Sequence, residues 1–213
     1  MPDLSDFRLG ADVVASDGRK AGTLVCVLVD QDEFDPRAVV VQDEANTVGR
    51  ALAAEKLLIT NEVVVPISAV VSATHDQVRL SMPLAEARAQ PPYLSYRFKP
   101  LGVGGSVLEE AEVLGGGFGL PNAEQLANKA PSEIEIARGE NVMLGQTGRR
   151  LGQVHDVLLD RGEMIGVVIR PEGFFKHDVV LPVRFIARAD DMALFARLDE
   201  SDIASLKPFE DAG

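Results

Sequence analysis

Ala11-Asp12-Val13-Val14-Ala15-Ser16-Asp17-Gly18-Arg19-Lys20-Ala21-Gly22-Thr23-Leu24 returns later in the chain as Asn141-Val142-Met143-Leu144-Gly145-Gln146-Thr147-Gly148-Arg149-Arg150-Leu151-Gly152-Gln153-Val154. Gly18 matches Gly148 and Gly22 matches Gly152, at an offset of 130 (148 − 18). Asp30 and Asp160 close the apolar runs that follow, at the same offset. Further on, Val63-Val64-Val65-Pro66-Ile67 matches Val179-Val180-Leu181-Pro182-Val183 at an offset of 116 (182 − 66). The first copy therefore holds 14 more residues, two in the turn Gln31 to Arg37 and twelve between Val41 and Val63. Length differences confined to connections are the mark of a repeated fold, because loops accept insertions and strands do not.

The local chemistry predicts strands. Ser16-Asp17-Gly18-Arg19 and Gln146-Thr147-Gly148-Arg149 are tight-turn signals between apolar segments, since glycine reaches positive φ without steric cost. Gly22 and Gly152 stand early in the next strand, where glycine marks a bulge or a close backbone approach. Leu24 to Asp30 and Val154 to Asp160 are rich in Val and Leu, and Arg37 to Gln42 and Met164 to Arg170 read as third strands. The Val63 and Val179 runs are fourth strands, each stopped by a proline that cannot donate to a ladder. Short strands follow at Val70 to Thr74 and Ile186 to Ala189. Last come Val78 to Ser81 and Met192 to Arg197. About six short strands per copy predict a mainly β protein of two small barrels in tandem, residues 1-83 and 135-213.

Residues 84-134 read as a connecting segment that belongs to neither copy. Leu84 to Ala89 predicts a helical turn and Gln90-Pro91-Pro92-Tyr93 an extended piece. Tyr93, Tyr96 and Phe98 are candidate aromatics either for pinning the segment to a barrel or for meeting a partner. Pro121 to Ala127 predicts a short helix capped by Asn122, with Gln125 at the capping-box position. Asp199 to Leu206 predicts a C-terminal helix capped by Asp199, with Ile203, Leu206 and Phe209 as its docking face. In the first copy, Gly49 to Lys56 predicts a helical turn and Leu57 to Thr60 an extra strand. Phe174 and Phe175, adjacent in an exposed-looking loop, cannot both face one core, so one is a candidate for barrel-to-barrel packing or for a partner.

Composition narrows the function. At 46% hydrophobic and 25% charged residues the chain can bury real cores. A net charge of -12 gives no attraction to phosphate backbones, so no nucleic acid is expected, nor to anionic membranes. No apolar run spans a bilayer and the N-terminus lacks a leader pattern, so neither membrane insertion nor secretion is expected, and the cytoplasm is the predicted compartment. The lone Cys26, within Thr23 to Val29, reads as a small buried hydrophobe.

A search for chemistry returns little. His75, His155 and His177 each precede an aspartate, Asp76, Asp156 and Asp178. The dipeptide is shared with metal-dependent phosphohydrolases, but those set their ligands on helices, and with separate barrels His75 stands in a different core from the others. Gly102 to Gly105 and Gly115 to Gly119 lack the lysine and the strand-to-helix setting of phosphate loops. His155 and Asp156 align with Val25 and Cys26. Neighbours on a strand point to opposite faces, so at most one of the pair faces the core; if it is Asp156, the backbone near Thr147-Gly148 is the candidate partner. No catalytic, metal or cofactor residue is assigned.

The element order resembles the PRC-barrel. The residues that carry it are Gly10 to Leu24 with Val63 to Val70, and Gly148 to Asp160 with Val179 to Val183, about two thirds of the chain. That family is known from the cytoplasmic domain of the photosynthetic reaction-centre H subunit and from the C-terminal domain of the ribosome maturation factor RimM. The resemblance implies a non-catalytic barrel that binds other proteins, and carries no functional residue over. The expectation is a protein-interaction or scaffold module, not an enzyme, whose partner is another protein or a second copy. Two alternatives stay open: a RimM-like RNA or ribosome assembly factor, and a small-ligand binder using the cleft between barrels.

Overall fold

The computed structural model describes residues 7–43, 62–98, 123–145, 147–160, 162–171, 177–190 and 192–210. The two larger sheets have corresponding strand orders. The first unit is built from β1 (Asp12–Val14), β2 (Lys20–Asp30), β3 (Pro36–Gln42), β4 (Glu62–Pro66), β5 (Val70–Ala73) and β6 (Gln77–Leu80), in the order β4-β3-β2-β1-β6-β5. The segment after it holds α1 (Leu84–Arg88), β7 (Leu94–Phe98), β8 (Ala123–Ala127) and β9 (Glu133–Ala137). The second unit comprises β10 (Asn141–Leu144), β11 (Arg149–Asp160), β12 (Glu163–Pro171), β13 (Val179–Pro182), β14 (Ile186–Asp190) and β15 (Ala193–Ala196), followed by α2 (Glu200–Ser205). Its order, β13-β12-β11-β10-β15-β14, repeats the first unit strand for strand.

Small features repeat as well. A bulge skips Val25 between Leu24 and Cys26 on β2, and another skips His155 between Val154 and Asp156 on β11. Such bulges bend a strand and raise its twist, which lets a long strand serve two sides of a curled sheet. The Gly18 and Gly148 turns carry φ of 79° and 68°. At Gly22 and Gly152 the neighbouring strand comes so close that a Cβ would lie 2.1 Å from Gln42 O and 2.3 Å from Arg170 O, respectively. Both strands ending in proline run into a 3-10 turn, Ile67–Ala69 and Val183–Phe185.

The coordinates revise the sequence alignment at one end. Asp12 pairs with Thr23 and Asn141 with Gln153, so Asn141 is the counterpart of Asp12, not of Ala11. The second turn is one residue longer, which a match anchored on the glycines could not register.

The repeat also extends past the barrels, into a segment expected to belong to neither copy. After each last strand comes a short helix, then a proline that bridges to the fourth strand, Pro92 to Val63 and Pro208 to Val179. Tyr93 N donates to Glu62 O and Phe209 N to Asp178 O, at matching positions. The helical turn at Leu84 and the cap at Asp199 are present as expected, the latter as a capping box with Asp202. The helix expected at Pro121 to Ala127 is instead β8, paired antiparallel with β7. Backbone pairing to a neighbouring strand overrides the local capping signal there. The helical turn and strand expected between Gly49 and Thr60, and both glycine-rich stretches, lie outside the described residues.

The largest departure is the core. Two separate interiors were expected, yet one contiguous apolar cluster runs from Leu24, Val27, Val39 and Val78 of the first unit to Val154, Val157, Val167 and Leu194 of the second. β9 makes the junction. It precedes the second unit but pairs with β2, matching Cys26 with Ala137 and Asp30 with Glu133, while also packing on β11 and β14. Ile134 and Ile136 turn inward and are buried. The strict Glu133-Ile134-Glu135-Ile136 alternation carries the signal for this strand. The chain just ahead of the first unit does the reverse: Phe7 and Leu9 are buried, and Leu9 binds β11 of the second unit. Each unit thus lends its leading segment to the other.

Candidate functional site

That exchange defines the site. Asp156 is the single buried charged residue among the described residues, at 4% exposure. It is held on β11 just past the bulge, which turns its side chain inward and leaves His155 outward. Oδ1 accepts from Leu9 N at 2.7 Å and from Val157 N at 2.9 Å. Oδ2 lies 3.6 Å from Arg8 Nε. The partner is therefore the segment leading into the first unit, not the Thr147-Gly148 turn, which lies at the far end of the strand hairpin. Burial pushes the Asp156 carboxyl above the ordinary aspartate range, opposed by the two N–H donors and by the charges of Arg8 and Arg138.

Arg138, just after β9, completes the clasp. Its Nε donates to His155 O at 3.0 Å, and its second guanidinium nitrogen donates to Leu9 O. Leu9 is thus gripped at both N–H and C=O by the second unit. Arg8 Nε is buried and makes no hydrogen bond, while the guanidinium lies 5.2 Å over the Phe209 ring.

These groups surround a cleft of about 490 Å³ lined by Arg8, Leu9, Ala11, Arg138, His155, Asp156 and Phe209, with Asp12, His75 and Asp76 along its first-unit side. The exchanged segments bring polar residues of both units to one place. His75 and His155, expected in different cores, line the same cleft; His177 does not. His155 Nε2 accepts from Arg170 at 2.9 Å, so the ring hydrogen sits on Nδ1, which faces Asp178 Oδ2 at 2.9 Å without hydrogen-bond alignment. Among the described residues, no three His, Cys, Asp or Glu converge as a metal site would require.

The first unit offers an internal comparison. The counterpart of Asp156 is Cys26, and the counterpart of Phe209 is Tyr93. Tyr93 is buried against Cys26, Leu28, Ala38 and Val40, and its hydroxyl donates to the Glu135 carboxylate on β9. It pins the segment to the barrel, which removes it from the candidate partner-binding residues: a ring shut into an internal cluster has no face left for a partner. Burial, then the Glu135 charge, pushes the Cys26 thiol far up, which disfavours the thiolate. Tyr96 and Phe98 lie on β7, opposite Gln125 and Ala123. Phe174 and Phe175 fall outside the described residues.

Sequence reasoning missed Arg8 and Arg138. The available signal was indirect: an inward Asp156 obliges a donor, and a cation leading into either unit would have qualified.

Two bent, mostly antiparallel sheets of one strand order, each with one parallel pair, share a common core. Residues 137–201, from the end of β9 into α2, match the family model of the PRC-barrel domain, and the mainly β fold with two sheets is consistent with that family. No curated protein matches the sequence. No helix among the described residues is long and apolar enough to cross a membrane.

Proposed function

We propose that this chain is a non-catalytic protein-interaction and assembly module of the cytoplasm, made of two PRC-type units in tandem. The tandem reading is supported by the shared strand order, bulges, turn glycines and helix-proline-aromatic caps. The interaction reading rests on one observation, the edge of β5. Each sheet ends in a strand with one unpaired edge among the described residues, β5 in the first and β14 in the second. Natural proteins guard such edges with charge. β14 carries Arg188 and Asp190, paired at 3.1 Å. β5 reads Val70-Val71-Ser72-Ala73, without a charge, and Val71 is 47% exposed. An unguarded edge is suited to accept a strand from another chain, through main-chain hydrogen bonds and alternate side chains.

The test is Val71→Lys, which places a charge on an outward position and leaves the fold intact. Wild type is expected to self-associate or to retain a specific protein partner, by light scattering and by affinity capture, and the variant to lose that association. A strictly monomeric wild type that retains nothing, or a variant that behaves as wild type does, refutes the proposal. The alternative of a RimM-like factor has only the family to support it, and a net charge of -12 works against RNA. A second reading, a small-ligand site between the units, is favoured by the polar cleft around Asp156.

A further inference from the structure

We propose that the cleft at the junction of the two units binds a small organic monocarboxylate, anchored by Arg8 and Arg138. This rests on the cleft reading above and is independent of the assembly reading. The internal repeat is the starting point. In the first unit the space over Cys26 is closed by the Tyr93 ring, whose hydroxyl is engaged by Glu135. In the second unit the corresponding positions hold Asp156 and Phe209, and the surface opens into a cleft of about 490 Å³. That volume suits a small molecule.

The charges choose the ligand. Arg8 is 13% exposed, and its buried Nε makes no hydrogen bond; at 3.6 Å the Asp156 carboxylate is beyond hydrogen-bond reach. Arg138 spends two of its nitrogens on carbonyls, which carry no full charge to neutralise it. Asp156 offsets one of the two guanidiniums. Asp12 is neutralised by Lys20 at 2.8 Å, and Asp76, 93% exposed, points to solvent beside His75. At His155 the flanking charges, Arg170 and Asp178, cancel. Among the described residues that line the cleft, with the solvent-facing Asp76 set apart, one positive charge remains, in a protein of net charge -12. A monoanion neutralises it and a dianion overshoots. Phe209, Leu9 and Ala11 supply apolar wall, which selects a ligand with an apolar body over a bare inorganic ion.

The experiment is calorimetric titration of the full chain with benzoate, its neutral isostere benzamide, and inorganic phosphate. Benzoate is expected to bind saturably at one site. Benzamide is expected to bind at least tenfold more weakly, the loss that follows when a charge-assisted hydrogen bond is removed. Asp156→Asn, which keeps the Oδ1 acceptor and removes the opposing charge, is expected to tighten benzoate several-fold. Arg8→Met is expected to weaken it at least tenfold, with Arg8→Lys intermediate. Benzamide binding as well as benzoate leaves a ligand cleft but overturns the anion assignment. Phosphate binding as tightly overturns the charge count, as does an Asp156→Asn variant with unchanged affinity. No saturable binding of either aromatic probe overturns the cleft reading and this inference together.

Discussion

Replacing Asp156 with alanine removes the acceptor of two backbone donors, Leu9 N and Val157 N, and a carboxylate that faces Arg8 Nε. A buried donor left unmatched costs about 1–3 kcal/mol, and two are exposed to that loss. Relief of the aspartate's own desolvation offsets part of it, so the net destabilisation of Asp156→Ala is expected to be about 2–4 kcal/mol. Asp156→Asn keeps a carbonyl oxygen in the Oδ1 position and is expected to fall within about 1 kcal/mol of wild type. Urea denaturation at neutral pH measures both. Hydrogen exchange locates the effect, since the Leu9 amide should lose protection in the alanine variant and keep it in the asparagine variant. The pH dependence gives an independent check. A carboxyl whose folded pKa lies above its unfolded value binds more protons when folded, so stability falls as pH rises through the folded pKa and is highest below the unfolded one. Wild type should therefore gain on Asp156→Asn as pH is lowered from neutral, levelling off near the ordinary aspartate value of about 3.9. Equal stability of wild type, alanine and asparagine forms, with no such trend, refutes the clasp.

Gly152→Ala drives a Cβ to 2.3 Å from Arg170 O and should part β11 from β12 at a cost of about 1–3 kcal/mol, read from the urea midpoint. Tyr93→Ala empties a buried slot and is expected to cost about 3–5 kcal/mol, whereas Tyr93→Phe loses only the Glu135 bond, about 1 kcal/mol; equal costs for the two variants would show the hydroxyl, not the ring, to be the anchor. The Ser201 hydroxyl and the Asp202 N–H hold the Asp199 carboxyl below the ordinary aspartate value, so its support of α2 is present above that value and lost as pH falls through the lowered one. Amide exchange in Glu200–Ser205 should rise on acidification, and Asp199→Asn should flatten that dependence.

Much of the fold was legible because the repeat is written in residues with hard local consequences. Gly18 and Gly148 declare turns, Gly22 and Gly152 declare close backbone approaches, and Pro66 and Pro182 end strands, whatever the rest of the chain does. Asp199 declared a helix start for the same reason. Where local signals competed with pairing, they lost: Asn122 and Gln125 look like a helix cap, but Ala123–Ala127 pairs with β7. The site was half legible. Asp156 was marked as a polar residue where the other copy has Cys26, and the need for a partner followed from burial alone. The identity of that partner did not, because Leu9 and Asp156 are 147 residues apart and no local pattern joins them.

The amino-acid sequence by itself determined the two units, since strand period, turn glycines and strand-ending prolines act over a few residues. Only the tertiary structure decided that the units share one interior, trade their leading segments and leave a charged cleft where those segments meet. Backbone hydrogen bonding is satisfied equally well by one's own strand or another's, so which edge β9 would take was settled by the burial of Ile134 and Ile136 between the sheets.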